Sequence, residues 1–289
     1  MTINDPSRRH EFVLLFDVKN GNPNGDPDAG NLPRIDPETR HGLVTDVALK
    51  RKIRDYNTLV RGEQDGYRIF IQTEDALNAL IERGREEAEV EPSSNPPRGD
   101  QMKVRDWMCQ NYFDIRMFGA VLSTGDFNAG QVRGPVQVAF AESVDPILPS
   151  DLTITRQART TEERMETGET EMGRKAIVPY GLYRAHGYFN PYLAEQTGVT
   201  SDDLDVLWES LANLFEFDRS AARGEMATRG LYVFTHDNKK GNAPAHKLLE
   251  SITVTNQKED GPPRSIDDYA VDVPSGLPDG VSLTPIVEA

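Results

Sequence analysis

The 289-residue chain is 37% hydrophobic and 27% charged, the balance of an ordinary globular protein with enough core for one large domain carrying insertions. Its longest apolar runs, such as 12–16 and 231–234, fall far short of the roughly 18 residues of a membrane span, and its one cysteine, Cys109, excludes intrachain disulfides and cysteine-based zinc or iron–sulfur sites. The formal charge of −15 argues against a nucleic-acid partner, because phosphate binding draws on Lys and Arg.

In chain order, residues 1–6 show no basic stretch followed by an apolar one, so no secretory leader or membrane partner is expected and the chain reads as cytoplasmic. Residues 10–19 carry apolar side chains on both parities, Phe12, Leu14, Phe16 and Val18 against Val13 and Leu15, the pattern of a central strand covered on both faces. Residues 20–42 hold two Asn-Gly pairs and four prolines, too many turn formers for regular structure, and a loop of that length is usually functional or disordered. A helix is predicted over 43–60, with Leu49, Ile53, Tyr56 and Val60 on one stripe and Lys50, Arg51 and Arg54 opposite. A short strand follows at 67–72, then an acidic helix at 74–88 and a proline- and serine-rich linker at 90–99. Residues 103–113 read as helix, with Cys109 as a small buried apolar side chain on it.

Beyond the glycine-rich stretch 123–130, a strand over 132–140 places Val132, Val136, Val138 and Phe140 on one face. Strands at 152–158 and 175–189 flank the polar segment 159–174, which predicts a protruding hairpin. Ser201 is the expected N-cap of an acidic helix over 202–217, and 230–235 and 251–255 are further strands. Acids concentrate in 74–91, 201–218 and 257–289, whose net charges of −5, −6 and −5 exceed the whole excess. The remainder is near neutral, so bases can cluster there. This order of elements is α+β, compatible with a ferredoxin-like or RRM-like sheet carrying insertions.

Three constellations carry possible chemistry. The start of the early helix, Thr45 with Lys50, Arg51 and Arg54, suits a sugar-phosphate backbone, or else is a solvated basic face. The loop 20–28, containing Asn22 and Asn24, offers glycines for close approach and amides for phosphate, ribose or base edges, or else is a structural turn. Its acids lack EF-hand spacing. In the hairpin, Arg156, Arg159, Arg164, Arg174 and Lys175 could grip a backbone while Met165 or Met172 wedges against a base; the alternative is a surface loop whose charges largely cancel. The five histidines show no metal-binding spacing, and no phosphate loop or nucleophile elbow is present. No active site, metal centre or cofactor is expected.

Phe12 through Asn20-Gly21-Asn22-Pro23-Asn24-Gly25-Asp26-Pro27, then Leu32-Pro33-Arg34, the helix 45–54, Arg116-Met117-Phe118-Gly119 and Arg133-Gly134-Pro135-Val136-Gln137 resemble the Cas seven family, specifically its type I-C branch, Csd two. The resemblance covers most of the chain, to about residue 254. It implies one domain over 1–289: an RRM-like palm, helical fingers near 74–115 and a β-hairpin thumb near 150–190. It further implies a non-catalytic subunit, copies of which stack head to tail on a CRISPR guide RNA, beside a Cas five subunit and the large and small Cascade subunits. The exposed guide then pairs with a target DNA strand. Contacts carried over are Asn22, Asn24, Arg34, Thr45, Lys50, Arg51 and Arg54, Arg116 and Phe118 in the palm, Arg133, and Arg156, Met165, Met172 and Arg174 in the thumb. Thumb carboxylates Glu162, Glu163, Glu166, Glu169 and Glu171 would meet bases or a neighbouring subunit.

The sequence also admits two rival readings. Related type III backbone proteins cut target RNA with a first-loop acid, which would cast Asp26, Asp28 or Asp36 in a metal-dependent RNA endonuclease. A scaffold without nucleic acid is the other.

Overall fold

The computed structural model describes residues 2–62, 64–73, 75–124, 127–156 and 171–289. The doubly apolar run becomes β1 (His10–Gly21), followed by the two-residue strands β2 (Gly25–Asp26) and β3 (Leu32–Pro33), then β4 (His41–Val44) and helix α1 (Asp46–Arg61). Helices α2 (Leu77–Glu87), α3 (Arg98–Asn111) and α4 (Phe113–Phe118) come next. Five strands follow, β5 (Gly119–Val121), β6 (Gln131–Arg133), β7 (Val136–Val138), β8 (Ala141–Pro146) and β9 (Ser150–Arg156), before the long β10 (Glu171–Phe189). Helices α5 (Pro191–Thr197) and α6 (Ser201–Ala212) lead to β11 (Glu225–His236), α7 (Ala245–Glu250), β12 (Thr253–Asn256), β13 (Tyr269–Asp272) and β14 (Val281–Val287).

Among the described residues, an eight-stranded sheet runs β14-β11-β1-β10-β8-β4, with β7 and β9 also paired to β10, and its ladders are antiparallel. The architecture is therefore mixed α/β. β1 is central, and its two parities feed two cores. Phe12, Leu14, Phe16 and Val18 pack with Leu49 and Ile53 of α1 and Leu204, Leu207 and Leu211 of α6. Val13 and Leu15 pack with Leu182, Tyr232 and Phe234 and with Leu248 and Leu249 of α7. A third cluster lies around α2 and α3, joining Leu80, Ile81, Val104, Met108 and Tyr112 to Phe70 and Phe127. Cys109 is buried in it, and burial pushes its thiol up to about 11. No described helix is long and apolar enough to cross a membrane.

Several elements depart from the expected ones. Helix α1 starts at Asp46 rather than 43, because Leu43 and Val44 pair with Glu142 and Ala141 of β8. Residues 67–72 form no strand beyond a single bridge between Arg68 and Tyr112; the Phe70 and Ile71 amides instead donate to the Asp114 carboxylate at 2.8 and 3.0 Å. The strand expected over 132–140 divides into β6 and β7 around Gly134, where a Cβ would lie 2.2 Å from the Phe118 carbonyl carbon. Thr200, not Ser201, caps α6, through a reciprocal capping box with Asp203. The acidic end of the chain is structured too, supplying β13 and the sheet-edge strand β14. Arg159, Arg164, Met165, Glu162, Glu163, Glu166 and Glu169 lie outside the described residues.

One half-buried titratable group gives the fold a pH dependence. Arg184 Nε donates to His186 Nε2 at 2.8 Å, so that nitrogen keeps its lone pair and the ring is neutral. Burial, then the Arg184 charge, hold the imidazole down at about 4. Unfolded histidine titrates near 6.5, so between these values the unfolded chain binds a proton that the folded chain refuses. The resulting stability is present above pH ~6.5 and is lost as pH falls towards 4, solvent screening of this half-buried group reducing its size. In denaturant unfolding across pH 4–7, His186→Gln should flatten the acid limb; an unchanged limb would refute this assignment.

Candidate functional site

β1 continues past Asn20, whose φ of 51° is left-handed, into Gly21. Gly21 lies so close to segment 218–224 that a Cβ would sit 1.8 Å from the Arg223 carbonyl oxygen, and the Asn22 amide donates to the Ala222 carbonyl at 2.8 Å. Glycine is required here by proximity. The loop then closes on itself. Asn22 Nδ2 donates to the Asn31 carbonyl at 2.7 Å, Gly25 and Asp26 pair with Pro33 and Leu32, and the Arg34 amide donates to the Asn24 carbonyl at 3.2 Å. Asn24 Oδ1 accepts from the Thr45 amide at 3.0 Å, and Thr45 Oγ1 caps α1 by accepting from the Ala48 amide at 3.2 Å. First loop, helix start and segment 218–224 thus form one unit around a groove of about 670 Å³.

Arg34, Arg51, Lys52 and Arg223 line this groove against two acids, Asp46 and Asp55, the reverse of the chain's overall sign. The Arg51 side chain is 70% exposed and 3.7 Å from Asp55, a screened pair that holds it weakly. Arg34 Nη1 is 3.4 Å from Asp26 Oδ1, and its Nε is buried without a partner among the described residues. Lys52 and Arg223 share one carboxylate, Asp218. Burial and the like charge of Arg51 lower the pKa of Arg223, and Asp55 opposes them. Such a groove can take a polyanion. Of the predicted residues it gathers Asn22, Asn24, Arg34, Thr45 and Arg51; Lys52 and Arg223 are additions.

Other predicted cations are committed elsewhere. Lys50 Nζ pairs with Asp46 at 2.9 Å and lies 5.9 Å from the Phe118 ring centre. Arg54 is turned inward, its Nε 2.8 Å from Asp114 Oδ2 and its guanidinium over the Phe118 ring. Arg116 is buried against Asp203, with Nε at 2.9 Å from Oδ2 and Nη2 at 2.6 Å from Oδ1. It also donates to the Gly66 and Cys109 carbonyls. Phe118 is buried beneath these cations. The fold thus places Arg54, Arg116 and Phe118 in the interior, Arg116 with both carboxylate oxygens of Asp203 and backbone carbonyls as acceptors and Arg54 with its Nε on Asp114.

Arg133 lies in a different cavity of about 610 Å³, beside Arg98 and Arg105 of α3 and Gln196 of α5. On the hairpin, Met172 opposes Thr155 and Arg174 opposes Thr153, so both share one face, while Arg156 opposes Glu171. Met172 is 74% exposed; Arg174 Nη1 is 3.6 Å from Asp151 Oδ2.

The first-loop acids act as local caps. Asp26 Oδ1 accepts from the Asp28 amide at 3.2 Å. Asp36 Oδ1 accepts from the Glu38 and Thr39 amides at 2.8 and 3.1 Å, and these bonds lower its pKa. Among the described residues no group of three or more His, Cys, Asp or Glu could share a metal ion.

The fold and groove define an antiparallel-sheet α/β protein with a cationic cleft at the end of its central strand. The family description "CRISPR-associated protein Cas7" matches residues 8–274, and the chain belongs to that family. A curated relative from Haloferax volcanii, described as CRISPR-associated protein Cas7, is 23% identical over 285 residues, covering 92% of this chain and 80% of its own length. A chain in a solved "CRISPR RNA-guided surveillance complex, pre-nicking" shares the fold with a TM-score of 0.50 at 13% identity, over 78% of each chain. A chain in another "CRISPR RNA-guided surveillance complex" aligns with a TM-score of 0.44 at 16% identity, over 77% of this chain and 68% of its own.

The two classes of arginine should separate on mutation. Arg116→Ala strands the buried Asp203 charge and should cost about 3–5 kcal/mol in denaturant unfolding. Arg51→Ala should stay within about 0.5 kcal/mol of the parent. Equal effects would contradict the assignment.

Proposed function

We propose that this chain is the non-catalytic, RNA-binding backbone subunit of a type I-C surveillance complex, polymerising head to tail along a CRISPR guide RNA. The observation that carries the reading is the groove: in a chain of net charge −15, Arg34, Arg51, Lys52 and Arg223 converge on one cleft beside loop amides. Phosphate binding needs that local field, whatever the net charge. Family membership supports the same reading.

The sheet order β11-β1-β10-β8, with α1 after β1 and α5 and α6 after β10, supports an RRM-like palm. Residues 74–115, whose helices pack in their own apolar cluster, would be the fingers. Residues 150–190 would be the thumb, built on the β9–β10 hairpin. Guide contacts are then Asn22, Asn24, Arg34, Thr45 and Arg51, with Lys52 and Arg223 added. Arg156, Met165, Met172 and Arg174 act in the thumb, which folds over the strand and displaces a nucleotide. A head-to-tail interface does not close on itself, so RNA length sets copy number. Protein reads backbone while the exposed guide reads a target DNA strand by pairing. Cas five, large and small subunits complete the assembly.

Protein purified from cells should carry RNase-sensitive material absorbing at 260 nm. In titrations with single-stranded RNA at several salt concentrations, Arg51→Ala should weaken binding and reduce the slope of log K against log salt by about 0.7, one phosphate contact. Absence of RNA would overturn the reading in favour of a scaffold. Magnesium-dependent cleavage abolished by Asp26→Ala would overturn it in favour of an endonuclease.

A further inference from the structure

Charge does not account for the whole groove. Phe140 also lines it, the one aromatic side chain there among the described residues, and is 55% exposed. Alternation from Val132 predicts Phe140 on the buried face. Val136 and Val138 are indeed inside, but Ala139 and Phe140 both face outward before Ala141 turns back in. The parity shifts between β7 and β8, and the shift leaves the phenyl ring outside.

The backbone on both sides of that ring is fixed. Val138 pairs with Gly187, the Ala139 amide donates to the His186 carbonyl at 2.8 Å, and Ala141 pairs with Val44. The ring is thus presented from an anchored chain. Val47, in the first turn of α1, is also exposed and lines the same groove. An apolar surface therefore adjoins Arg51 and Arg223. Cations suffice for a simple polyanion; a ligand with a charged backbone and flat apolar faces uses both surfaces.

We propose that Phe140 is a stacking platform for an unpaired nucleobase of the bound RNA, flanked by Val47, while Arg51 and Arg223 hold the adjoining phosphates. This subsite rests on the RNA-binding reading of the groove. Because every base has a π-face, the platform accepts any sequence.

The test titrates the full-length protein with a mixed-sequence single-stranded RNA across salt concentrations. Phe140→Ala should weaken binding about 5- to 150-fold, the range of one lost base stack, and leave the salt slope unchanged, because no phosphate contact is removed. Phe140→Leu should remain weak and Phe140→Trp should restore affinity. RNA, but not an abasic oligomer of equal length, should quench the new indole. Thermal melting should be the same for all three variants, since the ring is exposed.

If Phe140→Ala binds as tightly as the parent while Arg51→Ala weakens binding, the stacking subsite is wrong and the groove stands. Should the parent bind no RNA, both fail. A Phe140→Ala variant that alters self-association without RNA, at unchanged RNA affinity, would overturn stacking in favour of a protein contact.

Discussion

The contact of Gly21 with the backbone of Arg223 is the constraint on which the rest of the site depends. A side chain at position 21 would drive the end of β1 away from segment 218–224, separating the first loop from Arg223. With the contact in place, the loop hydrogen bonds of Asn22 and Asn24 follow. The second of these also fixes where α1 begins, because Thr45 both caps the helix and donates to Asn24. The groove is therefore a product of backbone proximity more than of a local run of basic residues.

Arginine serves two purposes in this molecule, and burial distinguishes them. Arg54 and Arg116 lie inside, each paired with a carboxylate that itself accepts from the backbone. In a low-dielectric interior such pairs must be complete or they destabilise. Arg51 and Arg223 stand at the edge of the groove, Arg51 weakly held by Asp55 and Arg223 sharing the Asp218 carboxylate with Lys52. Acids that set the net charge lie on exposed positions of α2 and α6, such as Glu86, Glu87, Asp202 and Asp205. Separation of this kind reconciles an acidic chain with a cationic cleft.

Much of the framework is legible in the sequence, where one local pattern decides it. Apolar residues on both parities of 12–18 mark a strand buried on two faces, and the stripe through Leu49, Ile53 and Tyr56 marks α1. The first loop is legible as a site by its glycines and asparagines. What escapes is whatever depends on a partner far along the chain. Arg223 reaches the groove only through Gly21. Arg54 and Arg116 resemble ligand contacts until Asp114 and Asp203 are placed beside them. β14, with Pro285 inside it, is not among the expected strands, yet a sheet-edge strand tolerates proline because one side of its backbone needs no ladder. Phe140 escapes because a parity shift leaves no mark in composition.

The central claim is that RNA lies along the cleft formed by the first loop, the start of α1 and segment 218–224. Ultraviolet crosslinking of the RNA-bound protein, followed by mass spectrometric mapping of the modified peptides, tests it most directly. The account predicts crosslinks within 20–34, 45–55 and 218–224. Crosslinks confined to the cavity of Arg98, Arg105 and Arg133, with none in those three segments, would contradict it.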